Sequence, residues 1–148
     1  MSHTFTVSLI SWHDGEPLLK SVRQAVFIEE QGIPEDLEWD GRDETCRHAL
    51  ALSSAGEAIG CGRIKADGHI GRIAVLPVWR NRKVGTTIVE ALLSHARALR
   101  YPAVDVDAQV QAVPFYRTFG FDVEGETFMD AGLPHIKMRL MLSEWGDS

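Results

Sequence analysis

The sequence predicts a mixed α/β domain. An antiparallel meander of short strands comes first, a parallel strand pair sits in the middle, and helices flank the sheet. Three observations lead there. Short β-branched or alternating runs recur from Phe5 onward. Tight-turn signals separate several of them, Asp67-Gly68 most clearly. A long helical stretch then stands between two strands, a connection that forces a parallel pair with a right-handed crossover. The 148 residues amount to a single domain, 1–148, with no repeat, linker or low-complexity run.

The elements follow in order. Phe5–Ile10 alternates and reads as the first strand. Asp14, Gly15 and Pro17 open a helix, proline suiting a first turn because its missing N–H would lack an intrahelical acceptor there anyway. Leu18, Leu19, Val22, Ala25 and Val26 recur at three- and four-residue spacing and form an apolar stripe, ending near Gln31-Gly32 with Pro34 just beyond. Pro34–Thr45 (PEDLEWDGRDET) is acidic and reads as a long loop. His48–Leu52 and Ala58–Lys65 form a hairpin around Ser53–Gly56, and His69–Leu76 extends it to a meander. Pro77–Lys83 is a basic turn. Val84–Arg100 is a helix with Ile88, Leu92, Ala96 and Leu99 on one face and Val89 and Leu93 beside them. Ala103–Ala108 is the strand reached through that helix. Val113–Phe119 is a short helix closed by Gly120, and Phe121–Val123 and Lys137–Leu142 complete the sheet.

Composition excludes several classes of function. Fifteen basic against 21 acidic residues give a net charge of −6, a poor match for a phosphate-backbone binder, so no nucleic-acid partner is expected. No apolar run approaches the ~20 residues of a membrane span, and the opening segment MSHTFTVSLISWHDGE has neither the basic nor the apolar region of a signal peptide. Cys46 and Cys61 form no CxxC, so they read as reduced thiols of a cytoplasmic protein. The six histidines (3, 13, 48, 69, 95 and 135) show no metal-ligand spacing on one helix, and no metal is expected. Phosphate P-loop, G-x-S-x-G and H-E-x-x-H patterns are absent. Gly60-Cys61-Gly62 starts like a dinucleotide fingerprint, but Lys65 holds the third glycine position and the segment reads as a strand. Trp12, Trp39, Trp79 and Trp145 suit either core or interface positions.

The informative stretch is Trp79-Arg80-Asn81-Arg82-Lys83-Val84-Gly85-Thr86-Thr87, between a strand and the long helix. Cations are normally repelled by the positive end of a helix dipole, so Arg80, Arg82 and Lys83 at this place point to an anion bound there. Gly85 lets the backbone approach such a ligand closely. A solvated basic turn is the structural alternative.

These residues carry a family resemblance. HIGRIAVLPVWRNRKVGTTIVEALLSHAR resembles the acetyl-CoA motif of the GNAT superfamily of N-acetyltransferases, in which a strand leads into R-x-x-G-x-G/A and the loop binds the CoA pyrophosphate. Arg80, Val84, Gly85 and Thr86 fit, whereas Lys83 stands where the family prefers its first glycine. Ala112-Val113-Pro114-Phe115-Tyr116-Arg117-Thr118-Phe119-Gly120-Phe121 resembles the family's A-x-x-F-Y-x-x-x-G-F signature. RQAVFIEEQGIP, DETCRH and EGETFMDAGLPH are similar to the ElaA-like branch of small bacterial acetyltransferases and extend the likeness over nearly the whole chain.

The resemblance implies a GNAT-like sheet with acetyl-CoA as cosubstrate and an amine as acceptor. It implies a donor site built from Ile73, Ala74, Val75, Arg80, Asn81, Arg82, Lys83, Val84, Gly85, Thr86, Phe115 and Tyr116. Tyr116 inherits the role of general acid to the departing CoA thiolate, and a backbone N–H in Ile73–Leu76 that of polarising the thioester carbonyl. Homodimers occur often in the family, so a dimer is carried as an expectation. The base that deprotonates the amine has several candidates: Glu30 at the first helix end, His48 beside the acidic loop, His135 after Gly-Leu-Pro, or a water relay. Asp105 and Asp107 share one strand face and suit a cationic acceptor. The acidic loop reads either as a solubilising surface or as a lid attracting an amine. An acyl-CoA-binding or sensing domain without efficient turnover is the second reading, motivated by Lys83.

Overall fold

In the computed structural model, which describes residues 4–142, seven strands are formed: β1 (Phe5–Ile10), β2 (Arg47–Ser53), β3 (Ala58–Ile64), β4 (His69–Val75), β5 (Ala103–Gln109), β6 (Asp122–Asp130) and β7 (Leu133–Met141). They join into one sheet in the order β1-β2-β3-β4-β5-β7-β6. Every neighbouring pair is antiparallel except β4 and β5. Trp145 lies outside the described residues.

Helix α1 (Trp12–Arg23) starts a turn earlier than Pro17 suggests, because Ser11 caps it by accepting the Asp14 N–H at 3.1 Å. Pro17 is therefore interior. The helix widens into a π-helical segment over Gln24–Glu30, placing Glu30 and Gln31 at its end. Pro34–Thr45 is more ordered than a plain loop: it holds a short helix α2 (Glu35–Glu38) and a 3₁₀ turn (Asp43–Thr45). Helix α3 (Val84–Ala98) connects β4 to β5 and packs on the opposite face of the sheet from α1. A 3₁₀ turn (Val110–Ala112) leads into α4 (Val113–Arg117).

Two apolar clusters sandwich the sheet. Val84, Ile88, Val89, Leu92 and Ala96 of α3 meet Ala49, Ile59, Ile70, Val104 and Val106 on one face. Leu19, Val22, Val26 and Phe27 meet Leu50, Cys61 and Ala74 on the other. Gly60 and Gly62 allow α3 to lie this close: a Cβ on Gly60 would stand 2.9 Å from Ile88 Cδ1, and one on Gly62 would stand 2.5 Å from Ile73 Cδ1. The glycines that suggest a dinucleotide motif are packing residues. Cys61 is buried and its thiol is pushed up to about 12 by burial, so it is inert.

The final hairpin is longer than the predicted Phe121–Val123 and Lys137–Leu142. All nine residues of β6 are exposed, so this edge strand lacks the buried alternation that marks a strand in sequence. The turn is made at Ala131 and Gly132, both with positive φ.

Candidate active site

The site is created by incomplete strand pairing. β4 and β5 are matched at His69↔Asp105 and Ile70↔Val106 and then diverge into a fork. Beyond that point β4 follows β3, and β5 follows β7 as far as Gln109↔His135. The register of β4 on β3 shifts opposite Cys61–Arg63, and Arg72 takes φ 54°, a bulge that bends β4 away. Leu76 donates its N–H to Ile59 of β3, so by strand alternation the Val75 N–H points into the fork. A cleft of about 870 Å³ fills the fork, lined by β4, the end of β5, the mouth of α3, α4 and the β6–β7 turn.

At one end of the cleft, Lys83 is the N-cap of α3 with φ 71° and ψ 10°, the left-handed conformation that glycine adopts most easily. Asn81 also has positive φ (62°). Lys83 thus holds a backbone shape that suits glycine, and it brings a cation to that place. The first intrahelical bond is Thr87 N–H to Lys83 C=O at 3.0 Å, so the N–H groups of Val84, Gly85 and Thr86 face the cleft mouth without intrahelical acceptors. A Cβ on Gly85 would meet Phe115 and Val75 at ordinary distances of 3.6 and 3.7 Å. Packing within the protein therefore does not demand glycine at that position.

Ile73, Ala74, Val75, Arg80, Asn81, Lys83, Val84, Gly85, Thr86, Phe115 and Tyr116 all line the cleft. Arg82 is not among the lining residues; its guanidinium lies 5.3 Å from the Trp79 ring centroid. Arg80 is held on both sides: its Nε donates to the Val75 carbonyl, and Nη1 and Nη2 donate to Glu30 at 2.8 and 2.6 Å. Those hydrogen bonds lower the Glu30 pKa. Tyr116 is 8% exposed, packs edge-on against Phe115 and Phe121, and has no hydrogen-bond partner for its hydroxyl among the described residues. Burial pushes its phenol above the ordinary range, so it stays protonated.

The three base candidates are not brought together. Glu30 is paired with Arg80, which lines the cleft, but is not itself among the lining residues. His48 is 1% exposed, stacks near Trp12 (5.3 Å) and hydrogen-bonds the Asp43 carbonyl at 2.9 Å, and it does not line the cleft. His135 does line it, with Nδ1 donating to the Leu133 carbonyl at 2.8 Å and its ring stacked on Phe128.

The acidic loop proves to be a wall of the site. Arg23, 1% exposed, donates to Glu38 at 2.7 Å and to Asp43 at 2.6 Å, with its guanidinium 4.9 Å from the Trp39 centroid. Arg63 donates to Asp43 and Asp40, and Arg72 to the Glu38 carbonyl. Burial opposes ionisation of Asp43, but hydrogen bonds from Arg23 and Arg63 outweigh it and lower its pKa. Asp40 is lowered in the same balance, while burial dominates at Glu38 and raises it. A glutamate and an arginine recurring in polar sequence gave no sign of this pairing.

Sequence reasoning also missed a bridge of amides. Gln111 donates to Gln109 at 2.6 Å, and Gln109 to Gln31 at 3.0 Å, linking the end of the π-helical segment to the end of β5. It passed over His69 too, which binds Asp105 Oδ1 through Nδ1 at 2.5 Å. Among the described residues no group of three or more side chains is arranged to hold a metal ion, and no helix is long and apolar enough to cross a membrane.

A forked sheet with a helix mouth at its open end defines an acyltransferase architecture, and the comparisons with known proteins agree. The chain belongs to the family of the acetyltransferase (GNAT) domain, whose model matches residues 20–142. It is 36% identical over 121 residues to the Bacillus subtilis protein YjcF, described as an uncharacterized N-acetyltransferase, covering 79% of this chain and 86% of that one. It is 33% identical over 129 residues to ElaA of Escherichia coli, covering 81% and 83%. The crystal structure of E. coli ElaA superposes with a TM-score of 0.81 at 29% identity, over 92% of this chain and 99% of that chain. An acyl-CoA N-acyltransferase from Pseudomonas aeruginosa gives the same TM-score at 26% identity, over 92% and 99%.

Proposed function

We propose that this protein transfers the acetyl group of acetyl-CoA directly to an amine of a small molecule or peptide, acting in the cytoplasm. The observation that carries the reading is the fork itself: an unpaired stretch of β4 leading into a helix mouth shaped by a left-handed Lys83, with Tyr116 among the lining residues. The pyrophosphate takes the N–H groups at the start of α3 and the Lys83 cation. The pantetheine arm lies along β4, and an N–H of Ile73–Val75 receives the thioester oxygen as it becomes an oxyanion.

The amine nitrogen attacks the carbonyl carbon, a C–N bond forms and the C–S bond breaks. Tyr116 gives its proton to the thiolate. Its raised pKa is no obstacle, because the same dry surroundings raise that of the CoA thiol. The phenolate recovers a proton from the new ammonium of the tetrahedral adduct, through water.

The test has two steps. Acetyl-CoA at 100 times its dissociation constant stabilises by about 2.7 kcal/mol, a rise in Tm of roughly 5–11 °C for a chain of this size. Tyr116→Phe is expected to keep that rise and to lose about a hundredfold in kcat for CoA release with an amine. No rise in the unmodified protein sinks the reading. A rise without CoA release for any amine favours the sensing domain instead.

A further inference from the structure

At the closed end of the fork, three titratable side chains meet on the face of the sheet that α3 does not cover. His69 starts β4, and Asp105 and Asp107 lie across from it on β5. The His69 Nδ1 is 2.5 Å from Asp105 Oδ1, which makes that nitrogen the donor and leaves Nε2 as the ring nitrogen turned to the cleft side. Nε2 stands 3.7 Å from Asp107 Oδ2. The other oxygen, Asp107 Oδ1, is buried with no hydrogen-bond partner. Both His69 and Asp107 line the cleft. Gly71 follows two residues on, where a Cβ would sit 3.8 Å from Nε2, so no side chain is interposed at the bulge.

A histidine kept for structure would be satisfied by Asp105 alone. Here Nε2 and the Asp107 carboxylate face one another across a gap at the apex of the cleft. The buried, unpartnered Asp107 Oδ1 needs an N–H donor. A protonated primary amine brings three.

We propose that Asp107 docks the acceptor as an ammonium ion and that His69, aimed by Asp105, takes its proton. This rests on the acetyltransferase reading and assigns the acceptor half of that same site. The ammonium gives one proton to His69 Nε2. The neutral amine then attacks the thioester carbonyl, C–S cleavage releases CoA as the thiol by way of Tyr116, and the imidazolium loses its proton to solvent. One proton is released per acetyl group transferred.

The charges facing His69 come from three elements. Asp105 and Asp107 stand on β5, and the Asp67 carboxylate accepts the His69 backbone N–H from the preceding turn. Lys65 lies across that turn, and Arg139 of β7 reaches Asp105 Oδ2 at 3.9 Å. His13, exposed on α1 and away from the cleft lining, is the internal control, and His135 at the far end of β5 is the rival base.

The experiment uses the full chain with acetyl-CoA and three probes: cadaverine, benzylamine and lysine amide, followed by CoA release. His69→Gln keeps a donor toward Asp105 and removes the base; kcat is expected to fall about a hundredfold or more, with the acetyl-CoA-dependent rise in Tm unchanged. Asp107→Asn is expected to raise the KM for the amine about ten- to a hundredfold. His13→Gln is expected to stay near the unmodified rate. Full kcat in a folded His69→Gln, or a loss confined to His135→Gln, overturns the assignment while leaving the acetyltransferase intact. So does an unmodified protein that binds acetyl-CoA yet acetylates none of the three amines. If His69→Gln does not fold, Asp107→Asn decides: an unchanged amine KM overturns the proposal. Failure of the unmodified protein to bind acetyl-CoA is the separate failure of the acetyltransferase reading.

Discussion

Lys83 carries a conformation that costs a non-glycine residue about 1 kcal/mol or more, and strain of this kind persists where the surroundings enforce it. The sequence shows a lysine at a glycine position; only the backbone shows that the angle is kept at φ 71°. Two residues on, Gly85 is a glycine that the packing does not require. Gly85→Ala is therefore expected to raise the stability of the ligand-free protein by about 0.5–1 kcal/mol, the usual gain in a helix. The same methyl stands where the pyrophosphate is proposed to bind, so the acetyl-CoA-dependent rise in Tm should shrink. Two melting curves with and without ligand check both signs. That Tyr116 lines the cleft was legible because its signature is local in sequence. His69 was not, because its partners Asp105 and Asp107 lie on another strand and no spacing rule joins them.

At the level of elements, the closeness of α3 to β3 depends on two missing side chains. Gly62→Ala would put a methyl 2.5 Å from Ile73, 2.9 Å from Ile88 and 3.1 Å from Leu92. Overpacking of this sort costs about 1–3 kcal/mol, readable as a lower denaturant midpoint at unchanged slope. Because Ile73 belongs to the fork strand, acetyl-CoA affinity should fall as well. The elements with a strong apolar period, α1 and α3 above all, could be placed from sequence. β6 could not, since its exposed edge position selects no alternation. The ordered loop Pro34–Thr45 was equally opaque, because its acidic residues look solvated until Arg23, Arg63 and Arg72 arrive from three other elements.

For the molecule as a whole, these buried charges set how stability follows pH. Burial lowers the pKa of His48, so between about 6.5 and its folded value the unfolded chain binds more protons, and stability falls as pH drops through that window. Asp40 and Asp43, both lowered from 3.8, hold stability that is present above that value and lost on further acidification. Glu38 has the opposite sign: raised from 4.5 by burial, it costs stability as pH climbs above that value. Urea midpoints measured from pH 7.5 to 3 should decline in two stages, one below about 6.5 and one below about 4, and His48→Gln should shrink the first, leaving the part owed to His95, which burial also lowers. The fork between β4 and β5 has a kinetic side. The β2–β3, β3–β4 and β6–β7 pairs close through turns of a few residues, whereas the two matched positions at the fork join segments 36 residues apart in sequence. Closing so long a stretch of chain for so few rungs makes this seam slow to form and cheap to open. The seam proposed as the donor's entry is the shortest pairing in the sheet that the folding chain has to make.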